Sequence, residues 1–283
     1  MLNLAIRNLK IFFRQKSAVF FSLLGVFIVM GLYLLFLGDA YVGNSTLPGM
    51  KSLMDHWLIA GIVSITSITT TMGAFEIMVI DRANHRDKDF FAAPMSRRTI
   101  VGGYILCAFL VGLIMTLLSF VIGELYILSQ GGHVLQFTVI LQMLGVILLS
   151  TMMSSSFVFF LVSFFSSISA FSTASTVLGT MVGFLTGIYV PIGNMPDSVQ
   201  WLIKTFPVAH SGALMRQIMM KEAAAFTFAG VPLEYRAGFE EFIGVYFLYG
   251  EWKSSPALHL AVMAGSAVLF FILATWNVSR KYK

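Results

Sequence analysis

The sequence predicts an all-α integral membrane protein, and three observations carry that prediction. Of 283 residues, 58% are hydrophobic and 11% charged, against roughly 25% charged in a soluble domain; the mean hydropathy is +0.86. The charges are clustered: no Asp, Glu, Lys or Arg occurs between Glu124 and Asp197, a stretch with room for two spans of about 20 residues. The apolar runs are continuous, without in/out alternation, which excludes a transmembrane barrel. Helices remain, because lipid satisfies no backbone polar group.

The first element is a helix over 1–17. Leu2, Ile6, Leu9 and Phe13 recur at helical spacing, and Asn3, Arg7, Lys10 and Arg14 do the same one position along. Two offset stripes of this kind define an amphipathic helix. With Arg7, Lys10 and Arg14 on its polar face, it is expected on the inner surface of the membrane lipids, placed to touch a cytoplasmic partner.

Six spans follow, at about 18–38, 57–80, 100–123, 137–164, 170–192 and 257–277. The first apolar run exceeds a signal-peptide core and lacks a convincing cleavage site, so a retained span is expected. The fourth is longer than a span requires and should tilt, extend out of the bilayer, or kink at Ser154-Ser155-Ser156. Twelve of the 18 Lys and Arg residues lie in three segments: before the first span, between the second and third, and at the C-terminus. With six spans these fall on one side, which predicts a multi-pass protein of the cell membrane with both termini cytoplasmic. The same placement beside the spans explains the net charge of +5 without nucleic acid. Cys107, the single cysteine, sits in an apolar run and excludes a disulfide framework within the chain.

Within the spans, Glu76 is an intramembrane acid expected to face the protein interior or water, or to pair with Arg82 or a nearby basic group. Gly179, Gly183 and Gly187 form a doubled G-x-x-x-G face, which permits close helix approach, either to another span of the chain or across a subunit interface. Residues 193–256 form the longest polar stretch yet keep much apolar surface. They predict short amphipathic helices broken at Pro207, Gly230 and Pro232, re-entrant or interfacial because so much exposed apolar surface invites aggregation. His210-Ser211 and Glu240-Glu241 are the only suggestive catalytic groups. Neighbours on a helix point about 100° apart, so neither pair makes a site, and the five His residues show no metal spacing. No catalytic, cofactor or metal residue is assigned, and an enzyme is not expected. The chain has no Gly-Lys dipeptide, hence no P-loop.

The connection after the second span is 81-DRANHRDKDFFAAPMSRR-98. A topology signal alone needs neither its acids nor its Phe pair. Ser96 suits the N-cap of the third span. A short helix with a charged face and exposed Phe90 and Phe91 suits docking into a groove of another protein; a solvated loop whose Phe pair dips into the interface is the plainer alternative.

Two local patterns carry a family resemblance. One is Asp81-Arg82 followed by Ala93-Pro94-Met95-Ser96-Arg97; the other is Pro191 and Pro196 followed by Pro207 and Arg216. On these, and over nearly its whole length, the chain resembles a permease subunit of the type-2 ABC exporter class. The resemblance implies one transmembrane permease domain over 1–283. The 81–98 loop would be a coupling helix that docks on a separate ABC ATPase subunit through Asp81, Arg82, Arg86, Asp87, Phe90, Phe91 and Pro94. ATP and Mg would be bound on that partner. A second permease, identical or related, would meet this one near Gly179, Gly183 and Gly187, and the turn at Pro191, Pro196 and Pro207 would belong to the outer gate. The implied cargo is amphipathic or hydrophobic: a drug, a lipid-linked compound or a peptide. The sequence departs from the pattern with Asp81 where Glu is commoner and His85 where Gly is common, which bears on the loop geometry. The alternatives are a self-contained secondary transporter or channel, which needs polar groups near the midplane that the spans nearly lack, and a non-transporting membrane sensor.

Overall fold

The computed structural model describes residues 1–33, 35, 47–86 and 96–281, with all side chains among them except those at 18, 21, 26, 97, 279 and 281. Among the described residues, five helices are long and apolar enough to cross a membrane: α3 (Met50–Ala83), α4 (Arg97–Ser129), α5 (Phe137–Val162), α6 (Ile168–Leu185) and α11 (Pro256–Lys281). Before them lie α1 (Leu2–Arg14) and the apolar α2 (Lys16–Leu32). The first expected span corresponds to α2, which has 17 residues; the end of that span lies outside the described residues.

α3 is the hub. Its 34 residues give about 51 Å of helix at 1.5 Å per residue, more than the roughly 30 Å of a hydrocarbon core. Its most apolar window is 83% buried, against 22% for α6 and 22% for α11, so the last two present broad outward faces. The Ser/Thr run of α3 explains the tight centre. Thr66, Thr70 and Thr71 bond back to carbonyls one turn earlier, which hides their hydroxyls. Ser67 Oγ meets Ser150 Oγ at 2.9 Å and Ser154 Oγ at 3.1 Å on α5, interhelical bonds worth roughly 0.6 kcal/mol each in a bilayer. A Cβ at Gly112 of α4 would overlap Thr71 and meet Thr151 at 2.9 Å. The Ser154–Ser156 run therefore marks a packing seam: α5 passes through it as one uninterrupted helix.

The segment between α6 and α11 holds α7 (Asp197–Thr205), α8 (Pro207–Met219), α9 (Lys221–Thr227), α10 (Leu233–Phe242) and a two-stranded antiparallel hairpin, β1 (Leu248–Tyr249) with β2 (Trp252–Lys253). The expected breaks hold: Pro207 occupies the first turn of α8, Gly230 has φ +78°, and Pro232 precedes α10. α8 is driven into the bundle. Its start, at Val208 and Ser211, bonds Ser64 in the middle of α3, while its end lies beside Leu53 near the start of α3. Ten of its residues are buried, whereas α10 buries none. The hairpin, absent from the sequence-based expectation, turns on Gly250 with φ +67°.

Candidate functional site

At the end of α3 that precedes the charged loop, Asp81 is 1% exposed. Its Oδ2 accepts from Arg7 Nη1 at 2.7 Å and from the Tyr104 hydroxyl at 2.7 Å, and its Oδ1 accepts from Arg7 Nη2 at 3.3 Å. Arg86 Nη1 approaches Oδ1 at 3.6 Å. One carboxylate of α3 thus joins α1, through a two-pronged guanidinium bond, the strong form of ion pair, and α4, through the Tyr104 hydroxyl. Arg82 donates to the carbonyls of Val162 and Phe165, at 3.2 and 3.3 Å, and so caps the carboxyl end of α5. Ser163, at the same place, accepts from Asn277 Nδ2 of α11 at 2.6 Å. α1, α4 and α5 are therefore bonded directly to the six residues that lead into the loop, and α11 joins them only through Ser163. His85 has φ +57°, a left-handed conformation that Gly adopts freely, so His85 keeps a backbone suited to the residue it replaces in the related pattern.

Beyond the loop, Ser96 caps α4 as expected, accepting from the Thr99 amide at 3.2 Å. Of the expected coupling residues, Asp81, Arg82 and Arg86 are turned toward their own bundle; Asp87, Phe90, Phe91 and Pro94 lie outside the described residues.

α1 buries one face against the bundle and leaves most of the expected lipid-facing stripe outward. Leu4, Ala5, Asn8 and Phe12 are buried, with Leu4 seated where a Cβ on Gly103 of α4 would meet it at 2.9 Å. Leu2, Ile6 and Phe13 of the expected apolar stripe stay exposed. Arg7 points to Asp81, while Arg14 is exposed and Lys10, with Arg7 and Arg14, lines a shallow surface groove.

A cavity of about 680 Å³ opens between α2, α3 and α6. Ser22, Thr66, Thr69, Glu76, Ser175 and Gly179 are among its lining residues. Glu76 is exposed to this space, and among the described residues no ion pair reaches it. The expected pairing with Arg82 is absent because the Arg82 guanidinium is spent on the α5 carbonyls.

The three glycines of the expected interface divide. Gly179 faces the cavity with nothing within 4 Å of a Cβ; a Cβ at Gly183 would overlap the Tyr189 ring; Gly187 has φ +68° and sits beyond the end of α6. Gly183 and Gly187 serve packing and chain reversal within this chain. Pro191 and Pro196 precede the short 3-10 helix Ile192–Asn194 and α7, and Pro207 starts α8, so the expected gate prolines each begin a helix.

The structure also pairs His210 with His259, both buried and 49 positions apart. Their Nδ1 atoms lie 2.9 Å from each other. His210 Nε2 lies 2.9 Å from the Lys204 carbonyl, so it carries the proton and its Nδ1 accepts. His259 Nδ1–H then donates, its Nε2 accepts from Ser254 Oγ at 3.0 Å, and Ser254 Oγ accepts from the Phe247 amide at 2.8 Å. The chain of bonds closes only with both rings neutral. Burial lowers the His210 pKa from its ordinary 6.5, against a smaller opposing effect of the Lys204 carbonyl. A His with a lowered folded pKa stabilises fully above about pH 6.5 and loses that contribution as pH falls. The unfolding free energy of the purified chain is expected to fall between about pH 7 and pH 5, by up to about 1.4 kcal/mol per pH unit for one titrating group, readable as a falling thermal midpoint, and His210→Gln is expected to flatten that profile. Among the described residues no group of three or more potential ligands could hold a metal ion.

Comparison with known proteins supplies the remaining constraint. Curated protein sequences yield no match. The family model of the ABC-2 type transporter matches residues 2–220, which takes in the Asp81 clamp, the α2–α3–α6 cavity and the proline-started helices through α8. With more than three quarters of its length covered by that match and five apolar helices of spanning length, the chain belongs to the ABC-2 type transporter family and is a permease subunit.

Proposed function

We propose that this chain forms half of the translocation pathway of an ATP-driven exporter. A second permease, identical or related, provides the other half, and a separate ABC ATPase supplies the energy. α2 is the first of six spans, and both termini and the 81–98 loop face the cytoplasm of the cell membrane. The basic segments that flank the spans support this orientation. ATP and Mg are bound on the ATPase, in keeping with the missing P-loop in this sequence; the chain itself performs no catalysis. The cargo is amphipathic or hydrophobic, and it passes the cavity between α2, α3 and α6, whose hydroxyl-bearing and apolar walls suit such a molecule.

The observation that carries the coupling is the Asp81 clamp. A push on residues 87–95 is delivered within six residues to a buried carboxylate bound to α1 and α4 and to an arginine bound to α5. A floppy attachment would absorb such a movement; a buried, hydrogen-bonded one passes it on. Replacing Phe90 and Phe91 with Ala is expected to abolish ATP-driven transport in reconstituted vesicles while membrane insertion stays normal. Normal transport by that variant would remove the docking role of the loop.

A further inference from the structure

α3 is buried almost throughout. From Leu53 to Ile80, the residues that are not buried are Ile65, Thr69, Gly73, Glu76 and Ile80. Their spacing by fours and a three places them on one face of the helix, and Glu76 is the one fully exposed residue among them. Ile65, Thr69, Gly73 and Glu76 all line the cavity between α2, α3 and α6. Phe75 and Ile77, its neighbours in sequence, are buried, so the exposed surface of Glu76 lies on the cavity face.

No Lys, Arg or second acid is among the described residues that line this cavity. Arg14 and Lys16 flank the lining Gln15, yet neither forms an ion pair with Glu76. The hydroxyls of the same walls add to the character of the space. Thr69 of α3 donates to the Ile65 carbonyl at 3.2 Å, Thr176 of α6 to the Ser172 carbonyl at 3.0 Å, and Ser22 of α2 to the Val19 carbonyl at 2.8 Å. A hydroxyl that gives its hydrogen to its own helix keeps its lone pairs, so one wall residue from each helix is an acceptor. A carboxylate, too, only accepts. Polarity then falls along α3: Ile62 and Ile65 line the cavity three to four turns before Glu76, and Ile62 stands about 21 Å from it at 1.5 Å per residue.

We propose that this cavity binds an organic cation in which a protonated amine is joined to an apolar body, with Glu76 as the group that selects the charge. The ammonium N–H groups meet the carboxylate and the hydroxyl oxygens, a charge-assisted contact, while the apolar body lies toward Ile65 and Ile62. A neutral or anionic amphiphile of the same shape leaves Glu76 without a counterion within the span, which is costly. As an account of the cargo, this rests on the exporter reading and narrows it to cationic amphiphiles; as a binding site, it is measured without transport.

The test is equilibrium binding to the full-length purified chain in nanodiscs of zwitterionic lipid. The probe is a dansyl group joined through a decyl chain to a primary amine and followed by its fluorescence; the control is the same molecule with the amine acetylated. The ammonium probe is expected to bind saturably and at least about tenfold tighter than the acetylated one, a difference of roughly 1.4 kcal/mol. Glu76 forms no ion pair among the described residues, so Glu76→Gln is expected to fold and to bring the two affinities together. Gly179→Leu, which fills part of the cavity from α6, is expected to weaken binding of the ammonium probe and keeps the test decisive even where Glu76→Gln fails to fold. Equal affinities in the unmodified chain, a preference for the ammonium that survives Glu76→Gln, or undiminished binding by Gly179→Leu overturns the proposal. ATP-dependent movement of the same probe, in vesicles holding the chain with its co-purified ATPase, tests the exporter reading separately: charge-selective binding without such movement keeps the site and removes its cargo role.

Discussion

Asp81→Ala is expected to cost the chain both stability and coupling. The substitution leaves the Arg7 guanidinium and the Tyr104 hydroxyl without the carboxylate that both contact at 2.7 Å. Breaking a buried pair by removing one partner costs about 3–5 kcal/mol. Arg7 is 32% exposed and recovers some hydration, so about 3 kcal/mol is the better figure here. That corresponds to a fall in thermal midpoint on the order of 5–10 °C, readable by heating detergent-solubilised protein and following its monodisperse fraction. Transport is expected to fall by at least about tenfold, for which roughly 1.4 kcal/mol of lost coupling suffices. The double variant Arg7→Met/Asp81→Leu separates the two effects. Two apolar side chains of similar volume often replace an ion pair without loss of stability, so the midpoint should recover while transport stays low. Recovery of both would reduce the clamp to packing.

Gly183→Leu is the second large effect. A Cβ at this position already overlaps the Tyr189 ring, and overpacking a tight contact typically costs 1–3 kcal/mol, sometimes more. The chain should express poorly, and Tyr189→Ala in the same background should restore it by vacating the space. Gly179→Leu, with nothing within 4 Å of its Cβ, should fold normally and instead fill part of the cavity, lowering transport without lowering the thermal midpoint. Equal destabilisation by the two leucines would contradict the division of that helix face.

The helical membrane architecture was legible because lipid imposes length and polarity on every span, and the apolar runs of α3, α4, α5 and α11 needed no tertiary information. Local chemistry was legible as well: Ser96 as a helix cap, and Pro207, Gly230 and Pro232 as breaks. What escaped is what depends on distance in sequence. Arg7 and Asp81 stand 74 positions apart, and the local sequence around Tyr104 carries no signal that it bonds Asp81. The buried stripe of α1, Leu4, Ala5, Asn8 and Phe12, is set by a protein surface, with Leu4 against Gly103 of α4 and Phe12 near Gly73 of α3. The glycine repeat of α6 shows the limit of spacing, which does not distinguish a helix interface from a ring seated in the gap, as at Gly183, or from a left-handed turn, as at Gly187. His210 and His259 carry no metal spacing because their pairing is made by the return of α11 against α8.

The most direct test of the central claim is to purify the chain gently from its native membrane and assay ATP hydrolysis on what accompanies it. The account predicts an ATP-binding protein in stoichiometric amount, with hydrolysis in the eluate, and loss of that protein from the Phe90→Ala/Phe91→Ala variant. A chain that purifies alone and hydrolyses no ATP under conditions that support transport would contradict it.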